Sequence, residues 1–393
     1  MAAASKVLSP EEFFKKLNRD DKDAVLDLNK TEKIDFIPTG SFIINSIIGD
    51  GTLTGTPGGF PRGHIVEIFG DESSGKSTCL MSACKQAQDM GGLAVLVDFE
   101  YTFHKGYAQH LGLDINKLIV MQPKHFQHGA RLVKDCLAMR PHIIAIDSVS
   151  AMTPREYYEG AVDEGGRIGL QAQLMSTFLQ YITKFLKESN ACLVFSNQLR
   201  SVIKGPYDTG PNEESSGGRA LKFYSSVRIR LKKSTVEKIA VTSKLTGKKD
   251  KEPINVMIRA TVVKNKIDKP YLTAPVYIRF GEGFDNITSL TELAINTNVI
   301  KKSGAFYTFD YGKKQEFKVQ GKAQLWKKVN EDEKLLDKIK NSLVIKEDEK
   351  AKKDYQIIEE VGDEMEDLMD SVSSNFVEKS KKKKEETTTE EES

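Results

Sequence analysis

The stretch Ile65-Val66-Glu67-Ile68-Phe69-Gly70-Asp71-Glu72-Ser73-Ser74-Gly75-Lys76-Ser77-Thr78 decides the reading of this chain. Its first five residues have the apolar character of a strand, and residues 77–90 have the period of a helix. Between them stands the G-x4-G-K-[ST] spacing of a phosphate-cradling loop. In such a loop the backbone N–H groups from Gly70 through Asp71, Glu72, Ser73, Ser74 and Gly75 turn in around phosphates. Lys76 then reaches the terminal oxygens, the Ser77 hydroxyl ligates Mg²⁺, and Thr78 carries the chain into the helix. A nucleoside triphosphate is the ligand this chemistry takes.

A second acidic strand end agrees with the first motif. Ile143-Ile144-Ala145-Ile146-Asp147-Ser148 is an apolar run closing on a carboxylate, as in a buried parallel strand whose C-terminal end faces a nucleotide. Asp147 is then the acidic group that holds Mg²⁺ through water. Without the phosphate loop it would read as a turn cap.

Outward from these motifs, strand-like runs at 65–69, 93–97, 118–121, 143–146, 192–196, 227–231, 256–263 and 274–280 alternate with helical stretches at 78–90, 129–139 and 170–188. The order predicts an α/β fold with a mostly parallel, doubly wound sheet and antiparallel strands added late. Residues 1–33 read as a short N-terminal helical oligomerisation element opening at Ser9-Pro10-Glu11-Glu12, with Phe13, Phe14 and Leu17 as its apolar face. Residues 34–285 form the core, 286–345 a small α+β C-terminal domain, and 346–393 an acidic, disordered tail. Within that tail, 355–369 is amphipathic, either a docking helix or one of marginal stability.

Composition bounds the partners. The net charge of +2 hides a division: 346–393 carry nine lysines against seventeen carboxylates, a net of −8, which leaves +10 on 1–345. Residues 200–269 alone hold 17 Lys and Arg against 7 Asp and Glu. Such asymmetry suits a polyanion partner for the body and an acidic tail that competes with it, although charge alone suits a solvated face equally. Cys79, Cys84, Cys136 and Cys192 lack paired metal spacing and read as buried reduced thiols, and the six histidines form no ligand cluster. No apolar run reaches the length of a membrane span and the N-terminus has no secretory pattern, so a cytoplasmic protein, bacterial or in a phage-infected host, is expected.

Several separated motifs together resemble the RecA-type recombinases of bacteria and phages, ATP-driven proteins that form helical filaments on single-stranded DNA and exchange strands. The resemblance runs over about 37–343 and rests on Gly70 to Lys76, Asp98-Phe99-Glu100, Ile146-Asp147-Ser148-Val149, Ser196-Asn197-Gln198-Leu199-Arg200, Gly217-Gly218-Arg219-Ala220-Leu221-Lys222-Phe223-Tyr224 and Val262-Val263-Lys264-Asn265-Lys266. It implies a RecA-like P-loop ATPase core using ATP and Mg²⁺. Glu100 is by resemblance the general base that activates water, and Gln198 the γ-phosphate sensor. Lys264 and Lys266 match a pair that reaches a neighbouring subunit's ATP, and Tyr107 matches a tyrosine that stacks on adenine.

Residues 157–169 and 201–218 resemble the family's two DNA-binding loops. By the same resemblance Arg167, Arg200, Arg219, Ser176, Gly217 and Gly218 meet the DNA backbone, while Ile168 and Ile203 fall where apolar wedges enter between bases. Two departures stand out: His104 replaces an acidic adenine contact, and Gln180 replaces a DNA-contacting arginine. The implied partners are single- and double-stranded DNA, further copies of this chain in a filament, and single-strand-binding and mediator proteins, with no membrane. The expected function is homologous pairing and strand exchange in recombination and repair. Two other readings are a non-exchanging DNA-binding ATPase that loads or restrains a recombinase, and a signalling ATPase without nucleic acid, which the basic 200–269 stretch disfavours.

Overall fold

The computed structural model describes residues 9, 12–13, 15–16, 34–49, 58–160, 164–201, 213–242, 249–311 and 314–343. The expected tail and its 355–369 helix, Ile203, and most of the N-terminal element lie outside the described residues. Contacts divide the chain into two units, Met1–Asp35 and Phe36–Ser393. In the first, Ser9 and Glu12 form a reciprocal capping box: the Glu12 N–H donates to Ser9 Oγ at 3.2 Å and the Ser9 N–H to Glu12 Oε2 at 3.0 Å.

The second unit opens with a small ribbon of β1 (Phe36–Ile37) and β2 (Phe60–Pro61). Six strands then run parallel: β3 (Ile65–Gly70), β4 (Ala94–Asp98), β5 (Leu118–Met121), β6 (Ile143–Asp147), β7 (Cys192–Ser201) and, beyond the short β8 (Glu213–Ser215), β9 (Val227–Thr242). The antiparallel strands β10 (Lys249–Asn265), β11 (Thr273–Arg279) and β12 (Gly283–Phe284) extend one edge, giving the order β12-β11-β10-β9-β3-β7-β6-β4-β5. Every residue of β3, β4 and β6 is buried, which explains their continuous apolar runs.

Successive residues of each strand feed opposite faces. Val66, Ile68, Leu96, Ala145 and Val194 share one core with the helices Phe42–Ile48 and Lys76–Asp89. Ile65, Val95, Ile144, Ile146 and Phe195 share the other with Phe126–Leu137 and Glu164–Ser189. The sheet is therefore doubly wound, as the alternation of runs predicts. A three-stranded antiparallel sheet, β13 (Ile300–Ser303), β14 (Phe306–Tyr311) and β15 (Lys314–Gln320), with the helices Asn286–Asn296 and Lys322–Asn330, follows and adds Phe309, Phe317 and Leu325 to the first core. Among the described residues no helix is long and apolar enough to cross a membrane, and all four cysteines are free and buried.

Three regions differ from the sequence expectation. Strands β9 and β10 reach far beyond 227–231 and 256–263: Lys232, Lys233, Ser234 and Thr235 are exposed in succession, so no apolar alternation marks the strand, and beyond Glu237 and Asn255 the two strands continue as a ribbon without β11. The helix expected at 170–188 begins at Glu164, inside the expected 157–169 loop. The 201–218 loop has a stem, with Leu199, Arg200 and Ser201 pairing antiparallel to Ser215, Glu214 and Glu213.

Gly129, in the helix Phe126–Leu137, shows how tightly the second face is filled. A Cβ there would stand 2.2 Å from Cζ of Phe99, itself buried. Alanine gains about 1 kcal/mol over glycine in a helix interior, whereas overfilling a close-packed core costs about 1–3 kcal/mol. Gly129→Ala should therefore lower the midpoint of thermal unfolding, and an unchanged or higher midpoint would contradict this account of the interface.

Candidate nucleotide site and DNA-facing loops

Parallel pairing collects the candidate groups at one edge of the sheet. Gly70, the last residue of β3, stands opposite Gln198 of β7, and Asp98 of β4 stands opposite Asp147 of β6. This carboxyl edge, where the chain leaves β3 and returns at β4 beyond β7 and β6, is a topological switch point where ligands of α/β sheets bind.

The loop after β3 has the local geometry of an anion cradle. Ser73 and Gly75 take positive φ of 56° and 87°, and Gly75 caps the helix Lys76–Asp89 with no side-chain hydrogen bond. The first N–H groups of that helix thus have no competing side-chain cap, and its dipole favours negative charge. Gly70 cannot be larger, since a Cβ would lie 2.0 Å from the carbonyl oxygen of Leu231. Ser74 Oγ is buried without a partner, a polar atom that a phosphate oxygen would satisfy. The Lys76 ammonium folds back on its own loop, donating to the carbonyls of Gly70 at 3.0 Å and Asp71 at 2.6 Å. Burial holds Lys76 below the usual lysine value, opposed by the nearby charges of Asp147, Glu100, Asp71 and Glu72.

The donor set fits Mg²⁺ and a triphosphate. Ser77 is exposed at the start of the helix, and Asp147 is 9% exposed with Ser196 Oγ donating to its Oδ1. Hard oxygen ligands of this kind suit Mg²⁺, which keeps much of its water.

Glu100 is held by residues that the sequence reading did not single out. The buried carboxylate of Asp98 accepts from the N–H groups of Glu100 at 3.1 Å and Phe103 at 2.9 Å, and from Gln122 Nε2 at 3.0 Å, so it fixes the turn that carries Glu100. Ser148 Oγ donates to Glu100 Oε1, with Ser150 Oγ 2.6 Å from Ser148 Oγ. Gln198 Nε2 lies 3.5 Å from the same Glu100 oxygen. The expected base and the expected sensor therefore meet. The usable signal for Ser148 was its place directly after Asp147, and for Asp98 its place two residues before Glu100; Gln122 could be assigned only once the strands were paired.

Tyr107 comes close to the phosphate-loop helix, its hydroxyl 2.8 Å from Thr78 Oγ1. His104 caps the short helix Lys105–His110, its Nδ1 accepting from the Tyr107 N–H at 3.1 Å, so the departure at this position has a structural role.

The loops approach the same edge. Gly217 and Gly218 have φ of 85° and 74°, and side chains there would strike Val149 at 2.7 Å and Ala172 at 2.8 Å. Gln171 Nε2 donates to the carbonyls of Val149 and Met152, 3.1 Å each, tying the helix Glu164–Ser189 to the chain after Asp147. Arg200, Arg219, Ser176 and Gln180 are exposed, whereas the side chains of Arg167 and Ile168 lie outside the described residues.

Lys264 and Lys266 are not brought to this edge. Asn265 pairs with Val227, Val227 pairs with Val66, and the Lys266 N–H donates to the Ser226 carbonyl, all beside the start of β3. At about 3.3 Å per residue they lie on the order of 15 Å from the phosphate loop along the strands. Lys264 Nζ instead donates to the carbonyls of Lys222 at 2.7 Å and Phe223 at 2.9 Å. Burial holds it below the usual lysine value, with Lys266 and Arg228 pushing the same way and Glu67 opposing.

A phosphate loop at the switch point of a doubly wound sheet defines the class: a P-loop nucleotide-binding core. A model of the RecA N-terminal domain matches residues 11–285. The chain is 37% identical to protein RecA of Thermus thermophilus over 333 residues, 84% of this chain and 91% of the relative. It is 39% identical to protein RecA of Chlorobaculum tepidum over 311 residues, 79% and 83% of the two chains, and 36% identical to that of Thermotoga maritima over 291 residues, 74% and 76%. The chain belongs to the RecA family and is a RecA-type recombinase.

Lys76→Ala should abolish ATP binding in titration calorimetry while leaving the fold intact by circular dichroism. Retained affinity would remove the phosphate loop from the account.

Proposed function

We propose that this chain is a DNA-dependent ATPase whose copies assemble into a helical filament on single-stranded DNA and hold that strand for pairing with a homologous duplex. The observation that carries the reading is the contact between Gln198 and Glu100 at the foot of the β7–β8 stem. A group that touches the water-activating carboxylate sits in the strand that runs directly into the second DNA-facing loop. Nucleotide state and loop conformation then share one backbone.

In this reading the amides of 70–75 and Lys76 bind the phosphates of ATP, and Ser77 and Asp147 hold Mg²⁺. A Mg²⁺ held there would supply neutralisation of the charge on the phosphate oxygens. Glu100, oriented by Asp98 and Ser148, accepts a proton from the attacking water. Gln198, freed from Glu100, turns to the terminal phosphate, and Tyr107 offers its ring face to the base. Arg167, Ser176, Arg200, Gly217, Gly218 and Arg219, with Ile168 and Ile203 as wedges, form the DNA-facing surface, and the acidic 346–393 tail competes for it. Residues 1–33 serve assembly, 34–285 carry the ATPase core and the DNA-facing loops, and 286–345 form the C-terminal domain.

Lys264 and Lys266 complete a neighbour's site. Their place at the opposite edge of the sheet supports this, because within one chain the strands themselves separate them from the phosphate loop.

Adding single-stranded DNA should raise ATP turnover, and Glu100→Gln should keep DNA and ATP binding while turnover falls about 10²–10⁴-fold. Turnover indifferent to DNA would refute the reading. Lys264→Ala and Lys76→Ala proteins, each inactive alone, should recover part of the turnover when mixed, since one supplies an intact phosphate loop and the other the intact lysine. A mixture as inactive as its components would place both groups in the same chain's site.

A further inference from the structure

Beneath the second loop, the sheet buries a carboxylate that the proposed hydrolysis does not use. Glu67 lies in mid-β3, opposite Phe195 of β7 and Arg228 of β9, and is 0% exposed. A charge so deep persists only if both oxygens are satisfied. Its Oε2 takes Arg228 Nε at 2.5 Å, and its Oε1 accepts from Asn197 Nδ2 at 2.9 Å.

A carboxylate in such an ion pair only accepts, so it dictates which way the Asn197 amide faces. Asn197 is also fully buried, and every part of its amide is used. Nδ2 donates a second bond to the Ser216 carbonyl at 2.8 Å, and Oδ1 accepts from the Gln198 N–H at 2.9 Å. The Ser216 N–H returns a bond to the Gln198 carbonyl at 3.3 Å. Turned over, the amide would set a donor against the Gln198 N–H and an acceptor against the Ser216 carbonyl. Asn197 in its held orientation therefore clamps the strand carrying Gln198 to the residue that precedes Gly217 and Gly218.

The other oxygen of Glu67 leads toward the far edge. Arg228, its guanidinium 4.6 Å from the centre of the Phe69 ring, stands opposite Lys264 in the β9–β10 register. One buried carboxylate thus touches the clamp on one side and the arginine beside the intersubunit lysine on the other.

We infer that Glu67 is the positioning residue that couples nucleotide state to the DNA-facing loop, by holding the Asn197 amide so that Gln198 and Ser216 move as one. The inference rests on the functional reading given above for Gln198 and the second loop. Glu67→Gln keeps the shape but leaves one acceptor between two donors, which frees Asn197 to turn.

The test compares the wild type, Glu67→Gln, Asn197→Asp and the double variant, all near-isosteric, in ATP turnover with and without single-stranded DNA. For Glu67→Gln the stimulation by DNA should fall about tenfold while KM for ATP without DNA stays within about twofold. Asn197→Asp loses the donor to the Ser216 carbonyl and sets two carboxylates face to face, so it should lose stimulation as well. In the double variant the amide introduced at position 67 can accept from Arg228 and donate to the carboxylate introduced at position 197, whose other oxygen still takes the Gln198 N–H. That carboxylate has no hydrogen to give the Ser216 carbonyl, so the double variant should regain thermal stability relative to Asn197→Asp while stimulation by DNA stays low. A purely structural role would make stimulation follow thermal stability, lost and regained together, and that pattern overturns the inference. If Glu67→Gln does not fold, a double variant more stable than Asn197→Asp yet still unstimulated supports the inference, and a normally stimulated Asn197→Asp overturns it. A wild type that DNA does not stimulate defeats the functional reading and the inference with it, whereas equal stimulation of wild type and Glu67→Gln defeats the inference alone.

Discussion

Parallel pairing of β3 with β7, and of β4 with β6, is the constraint on which the site depends. Because Gly70 lies opposite Gln198 and Asp98 opposite Asp147, four strand ends deliver the phosphate loop, the proposed sensing amide, the turn that carries Glu100 and the proposed metal-holding acid to one edge. A slip of one residue in either pair would turn each side chain of the strand to the other face. The register is protected by burial: β3, β4 and β6 are covered on both faces, so a slip would move every buried contact they make.

The same pairing separates two edges that the proposed assembly brings back together. The phosphate loop stands at the carboxyl ends of the parallel strands, and Lys264 and Lys266 stand at their amino ends, beside the start of β3. A head-to-tail contact between copies joins such opposite edges and repeats without closing, which is the geometry of a helical filament. Lys264, meanwhile, is occupied by the carbonyls of Lys222 and Phe223, so engaging a neighbour's phosphates requires it to leave partners it already has.

Much of this was legible in the sequence, for identifiable reasons. The phosphate loop declares itself through a rare spacing, Asp147 through an apolar run ending in a carboxylate, and the sheet class through strand and helix runs in alternation. The extent of β9 and β10 was hidden because Lys232 to Thr235 are exposed in succession and show no apolar alternation, so the apolar run stopped at Leu231. Gln122 and Ser148 were invisible as supports of Glu100 because their contacts cross between strands, whereas Asp98 acts through a local turn two residues before Glu100. Glu67 did leave a trace, a single charge in the run Ile65-Val66-Glu67-Ile68-Phe69. Its meaning depends on Arg228 and Asn197, 161 and 130 residues away along the chain.

The central claim is that the terminal phosphate of ATP is felt at the second DNA-facing loop through Gln198. Backbone hydrogen exchange over 197–201 and 213–219, measured without DNA in the presence of a non-hydrolysable ATP analogue and then of ADP, tests it most directly. Exchange in both segments should slow with the triphosphate and return toward the free rate with the diphosphate. Equal protection by the two nucleotides would contradict the account.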